Sequence, residues 1–310
     1  MRTEVRSAFI CVHLRLFSFM NVYWLEQTEA DLPAENGWLS ASEVARLNSF
    51  CFAKRRADWR LGRWTAKRAV AAYLNAPNRP PALASIEIRP APSGAPEVFV
   101  ADQPADFTIS LSHRGGVAAC AVSRFGVLLG CDLELVEPRS EAFIADYFTP
   151  EEQALVAQAD TADRFPLCAL LWSAKESALK ALRTGLRVDT RSVIVSPGDA
   201  FARKNRPQTG EAGGTACPTS GPAVVPVVSK VPVSKAPVPV EAVETVVAQA
   251  VPPGFLDACP ASHPRLEPWY PLQIRHTNSE VFHGWWQLTG DLLRTLAADP
   301  RPAPPILLQI

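Results

Sequence analysis

The sequence predicts a mixed α and β protein. Three observations predict it: helix-start signals followed by apolar residues at helical spacing, short apolar runs bounded by glycine and proline, and one long proline-rich stretch that fits neither pattern. At 310 residues with 47% hydrophobic content, the chain can fill two domains with substantial cores.

Ser40-Ala-Ser-Glu43 has the form of a capping box, and Val44, Leu47 and Phe50 or Cys51 follow at helical spacing, so a helix starts near Ala41. After a break around Phe52 a second helix is predicted to about Leu74, with Trp59, Gly62, Ala66, Ala69, Val70 and Tyr73 as its burying stripe. Short strands are expected at Ile86 to Ile88, Val98 to Val100, Phe107 to Leu111 and Val117 to Val122, the last two joined at Gly115-Gly116. A strand from Val127 to Val136 comes next. Thr149-Pro-Glu-Glu152 then opens a helix, with proline at its first position. A tryptophan-bearing helix runs from about Phe165 to Leu182, and a strand occupies Ser192 to Val195. Between Pro207 and Pro264 there are eleven prolines and no amphipathic period, which predicts a disordered or extended insertion. Phe282 to Leu288 and Asp291 to Ala297 read as a closing hairpin.

Lysine plus arginine and aspartate plus glutamate each total 31, so net charge favours neither nucleic acid nor an anionic membrane as partner. The seven cysteines are scattered without Cys-x-x-Cys pairing, which indicates neither a zinc site nor a disulfide framework; free thiols in a reducing cytoplasm fit best. The apolar segment Ala8 to Met20 is interrupted by His13 and Arg15 and falls short of the roughly 20 residues a membrane helix needs. No span and no signal peptide are expected, and Met20 is a candidate start.

Chemistry concentrates in two places. In Gly130-Cys-Asp132-Leu-Glu134 the strand alternation turns Leu129, Cys131, Leu133 and Leu135 to one face. Asp132 and Glu134 turn to the other, roughly 7 Å apart at Cα and expected to be exposed. In Trp172-Ser-Ala-Lys175-Glu176-Ser-Ala-Leu-Lys180, Glu176 and Lys180 share a helix face, with Trp172 one turn earlier as packing. Three hard carboxylates without soft ligands suit Mg²⁺, which takes its remaining ligands from water and substrate phosphate; Mn²⁺ is compatible. Arg56, Arg60, Arg63 and Lys67 follow one another along one side of the second helix. On charge alone they read equally as an anion site or a solvated face.

These two motifs, about forty residues apart, resemble the signature of the 4'-phosphopantetheinyl transferase superfamily, in the longer, two-lobed type that modifies carrier proteins. Phe107-Thr-Ile-Ser-Leu-Ser112-His113 is similar to the family's Ser-His motif, Phe148-Thr-Pro-Glu-Glu152 to the stretch before its tryptophan helix, and Gly185-Leu-Arg-Val-Asp-Thr190 to the stretch after it. The resemblance spans roughly Asn21 to Val195 and resumes from Pro271 to Ala298.

The resemblance implies an α+β fold of two similar lobes related by a pseudo-twofold, with a ligand cleft between them. The expected organisation is an extension over 1–20, an N-terminal lobe over 21–125, a C-terminal lobe over 126–200 and 268–300, the insertion over 201–267 and a tail over 301–310. It also implies transfer of the phosphopantetheine arm of coenzyme A to a serine of an apo acyl or peptidyl carrier protein, releasing adenosine 3',5'-bisphosphate. By resemblance, Asp132, Glu134 and Glu176 hold Mg²⁺, and Glu176 is also the base for the incoming serine, directly or through water. Lys180 neutralises phosphate, with Lys175 as a second cation. Arg56, Arg60, Ser112 and His113 bind coenzyme A. A monomer is expected. The competing expectation is a non-catalytic coenzyme A or carrier-protein binding module on the same fold. A generic nucleotide enzyme is disfavoured, because the sequence carries neither Gly-x-x-x-x-Gly-Lys nor Gly-x-Gly-x-x-Gly.

Overall fold

The structure is a computed structural model that describes residues 20–74, 81–198, 201, 268–278 and 280–310. The predicted extension before Met20 and nearly all of the proline-rich insertion lie outside the described residues. Those residues form a mixed α/β fold with five α-helices and three sheets.

The first half opens with β1 (Tyr23–Thr28), α1 (Ala41–Asn48) and α2 (Ala53–Leu74). Ser40 caps α1 as the sequence predicts: its hydroxyl accepts from Glu43 N while Glu43 accepts from Ser40 N. Strands β2 (Ile86–Pro90), β3 (Pro96–Val100) and β4 (Gln103–Pro104) make a small antiparallel sheet. A hairpin of β5 (Phe107–Arg114) and β6 (Val117–Arg124) turns at Gly115 and Gly116, both at positive φ, the backbone that tight hairpin turns require. With β1 and the short β12 (Ile306–Leu307) it forms a sheet in the order β12-β1-β6-β5. Ala66, Ala69 and Val70 of α2 pack here against Leu25, Ile86, Ile88, Val98, Ile109, Cys120 and Val122.

The second half contains β7 (Leu128–Leu135), α3 (Glu141–Tyr147), α4 (Pro150–Gln158), α5 (Thr161–Ala181) and β8 (Val193–Ser196). Strands β9 (Tyr270–His276), β10 (Val281–Thr289) and β11 (Leu292–Asp299) follow. Their sheet runs β7-β11-β10-β9-β8. The predicted closing hairpin is β10–β11, and β11 returns to pair antiparallel with β7, placing Thr295 opposite Asp132. Helix α5 starts four residues before its predicted onset, with Pro166 inside it.

One arrangement occurs in both halves. In the first, Glu43 pairs with the fully buried Lys67 of α2 at 2.5 Å and accepts from Ile88 N of β2 at 3.3 Å, while Lys67 Nζ donates to the carbonyls of Trp38 and Leu83. In the second, Glu152 of the Thr149 capping box pairs with the fully buried Lys175 of α5 at 2.8 Å and accepts from Val195 N of β8 at 2.9 Å. Lys175 donates to the carbonyls of Thr190 and Val193. Each clamp ties a short helix, a long helix and a strand together through charges that burial would otherwise penalise heavily.

Candidate functional site

The alternation of β7 holds on its apolar side, where Leu129, Cys131 and Leu133 join one buried cluster. The acidic side is not exposed, which corrects the expectation from sequence: Asp132 is 6% and Glu134 7% exposed. Helix α5 lies across it, presenting Ser173, Glu176, Ser177 and Lys180 at the i, i+3, i+4, i+7 spacing of one helix face. Gly130 sets how close the helix comes. A Cβ there would stand 1.7 Å from Ser177 O, so only a residue without a side chain lets the two backbones meet.

Asp132 is the hub. Its Oδ1 accepts from Ser112 Oγ at 2.8 Å and from Lys180 Nζ at 2.8 Å, and its Oδ2 accepts from Ser173 Oγ at 2.8 Å. Lys180 also donates to Cys131 O at 2.9 Å. Burial pulls the Lys180 ammonium down, but Asp132, Cys131 and Glu176 together raise its pKa above the ordinary lysine value. Glu134 Oε1 lies 2.8 Å from Arg139 Nη2 and 3.2 Å from Arg114 Nε. Burial raises the Glu134 pKa, against the pull of the two arginines.

Glu176 completes the group. Its Oε1 is buried without a hydrogen-bond partner. Its pKa is raised first by burial, then by the charges of Asp132 and Glu134, with Lys180 opposing. The three carboxylates therefore feel one another's charge. As donors they are all hard oxygens, and one is an orphan, which fits Mg²⁺ in chemistry. Asp132 and Glu134 are held meanwhile by the chain's own cations, and among the described residues no three His, Cys, Asp or Glu side chains stand in an arrangement that holds a metal ion.

Several predicted ligands are engaged within the protein. Lys175 points away from the acids into the Glu152 clamp, and burial lowers its pKa against the raising effect of Glu152; it presents no cation to a ligand. Ser112 gives its one O–H to Asp132 and accepts from Leu133 N at 3.1 Å, so its hydroxyl is engaged inside the protein. Arg56 donates to Phe50 O, and Arg60 to Asn36 Oδ1 and the carbonyls of Pro33 and Ala34. The predicted basic stripe on α2 is thus bound to nearby backbone at Arg56 and Arg60 and buried at Lys67. Trp172 packs edge-on against Phe143 and Tyr147, as expected.

The exposed cations gather in two cavities that sequence reasoning missed. A cavity of about 1580 Å³ is lined by Arg46, Lys54, Arg55, Arg63, Arg89 and His113 together with the acids Glu43, Asp58, Glu87 and Asp102. Arg46 and Arg55 sit over the Phe50 ring at 5.1 and 5.4 Å. No described acidic side chain forms an ion pair with either. His113 stands 3.9 Å from Asp58 Oδ2, and its pKa is lowered by burial, against Asp58 and with Lys180. A second cavity of about 690 Å³ shares Arg63 and Arg89 and reaches Lys180 and Phe125. Asp132, Glu134 and Glu176 line neither cavity; Lys180, bonded to Asp132, reaches the second. The signal available in the sequence was aromatic–basic interleaving, as in Phe50 to Arg55, whose importance depends on the fold of the β2–β3 hairpin opposite.

No helix among the described residues is long and apolar enough to cross a membrane. No curated protein matches the chain. Residues 128–216, which begin at β7 and take in Asp132, Glu134 and the whole of α5, match the model of the 4'-phosphopantetheinyl transferase superfamily, the family that the motifs resemble.

Proposed function

We propose that the protein transfers the 4'-phosphopantetheine arm of coenzyme A to a serine of an apo carrier protein. The observation that carries the reading is the grouping of the buried Asp132 and Glu134 with the half-buried Glu176, whose Oε1 is an orphan, in one mutually charged cluster inside the segment that matches the superfamily. In this reading the first cavity takes the nucleotide end of coenzyme A, with Arg46, Arg55, Arg63 and His113 facing its phosphates. The arm lies toward Lys180 through the second cavity.

The carrier serine oxygen attacks the phosphorus that bears the pantetheine arm, and the bridging P–O bond breaks with its electron pair leaving on adenosine 3',5'-bisphosphate. Glu176 takes the serine proton; a carboxyl whose pKa is raised by burial and by neighbouring acids is a better base than an ordinary one. Lys180 offsets charge on the phosphate oxygens. Asp132, Glu134 and Glu176 would hold Mg²⁺, which when bound supplies charge neutralisation at the pyrophosphate. The matched clamps Glu43–Lys67 and Glu152–Lys175 support two lobes related by a pseudo-twofold. We assign the protein to the cytoplasm as a monomer.

A non-catalytic binding module is the alternative, favoured by the carboxylates being paired with internal cations rather than grouped as metal ligands. The two separate when the protein is incubated with coenzyme A, Mg²⁺ and a panel of apo carriers and the products are weighed. The expected result is a carrier heavier by one phosphopantetheine arm, lost in Asp132→Asn and with chelator. Coenzyme A binding without mass gain on any carrier would instead establish the binding module.

A further inference from the structure

Glu134 is held by two arginines from different parts of the chain, Arg114 at the end of β5 and Arg139 in the segment between β7 and α3. Neither is bidentate: Arg139 makes a single hydrogen bond, from Nη2 to Glu134 Oε1 at 2.8 Å. Arg114 Nε is 3.2 Å from Glu134 Oε1 but lacks hydrogen-bond geometry, and Arg114 Nε and Arg139 Nε are both buried without an acceptor. Arg114 also reaches Glu137 Oε2 at 2.7 Å, and Arg139 lies over the Phe143 ring at 5.0 Å. With Lys180 on Asp132, three cations face Asp132, Glu134 and Glu176, and Glu137, which shares Arg114, leaves the cluster a formal charge of only −1. A divalent cation arriving alone meets little net negative charge and must displace a guanidinium to use Glu134. At this cluster, as distinct from the cavity with Arg46 and Arg55, a phosphate-bearing anion arriving alone meets arginines already paired with acids. Each would bind better after the other.

We propose that Arg114 and Arg139 are displaceable counter-ions for Glu134, which make divalent-cation binding and phosphate-anion binding strengthen each other. The inference rests on the reading that Asp132, Glu134 and Glu176 are metal ligands. Through its charge, a polyphosphate ester draws the guanidinium groups off Glu134, whose oxygen is then free for the ion. By reciprocity the ion releases the arginines to the anion.

The test uses Mn²⁺ as the probe, with binding to the full chain followed by the electron spin resonance of free Mn²⁺, with and without coenzyme A and corrected for Mn²⁺ bound by coenzyme A in solution. In the wild type coenzyme A should tighten Mn²⁺ binding by roughly fivefold or more, within the range of coupling between sites. Arg139→Gln and Arg114→Gln should bind Mn²⁺ more tightly in the absence of coenzyme A and lose most of the enhancement, while Arg139→Lys keeps wild-type behaviour. Thermal melts establish that each variant is folded. Mn²⁺ affinity unchanged or weakened in both glutamine variants, with Asp132→Asn still abolishing binding, overturns the counter-ion role and leaves the metal site standing. No Mn²⁺ binding in the wild type, with or without coenzyme A, overturns both.

Discussion

Glu176 joins three roles that pull against one another: buried carboxyl, neighbour to two further acids, and turn-mate of Lys180. Its folded pKa stands above the unfolded reference of 4.5. The linkage has a definite sign. A carboxyl with a raised folded pKa contributes stability that is fully present below its unfolded value and is lost as pH rises through its folded value. Glu176→Gln should therefore raise the melting temperature at neutral pH, and the gain should shrink toward nothing as pH falls to about 4.5 and below. Melts across that range check it; a gain independent of pH would mean the side chain's charge is not the cause. Single residues were partly legible in the sequence. That Asp132 and Glu134 share one face and Glu176 and Lys180 another was legible, because a two-residue strand period and a four-residue helix spacing fix which side chains lie together. That Lys175 turns into the Glu152 clamp was not legible, because it lies five residues from Lys180, about 140° around the helix, and nothing local says which side meets solvent. The partners of the Ser112 hydroxyl were not legible for a different reason: they depend on which strand passes beside it.

At the scale of elements, the approach of α5 to β7 governs the site. With 1.7 Å between a Cβ on residue 130 and Ser177 O, Gly130→Ala forces helix and strand apart, and backbone on both sides leaves no flexible side chain to give way. The expected loss is about 3 kcal/mol or more by urea denaturation, at the high end for overpacking. Transfer should fall further than stability, because the same shift moves Glu176 and Lys180 off Asp132. A variant as stable as the wild type would show that the contact does not set the spacing. Helix starts were the most legible elements. Ser40/Glu43 and Thr149/Glu152 cap as their spacing predicts, since a capping box is a local hydrogen-bond problem. What the second oxygen of each glutamate does was not legible. Both reach strand amides more than forty residues away, which no window of sequence reveals.

For the whole molecule, the sequence showed the mixed α and β class and the closing hairpin but not the order of the sheets. Strand β11 reaches across more than 150 residues to cover β7, and β1 lies inside its sheet between β12 and β6; periodicity records neither pairing. The edge of β7 away from β11 has an unusual neighbour. Cys131 N and Leu133 N donate to Ser110 Oγ and Ser112 Oγ of β5 at 2.9 and 3.1 Å, so hydroxyl groups stand where a backbone ladder would run. A seam stitched by side chains separates with less disruption than a ladder, since each rotor can turn away without unwinding a strand. In deuterium-uptake experiments these two amides should exchange faster than their counterparts in the β10–β11 pair. Breathing along this line would let the halves part to admit a bulky guest while each sheet stays whole.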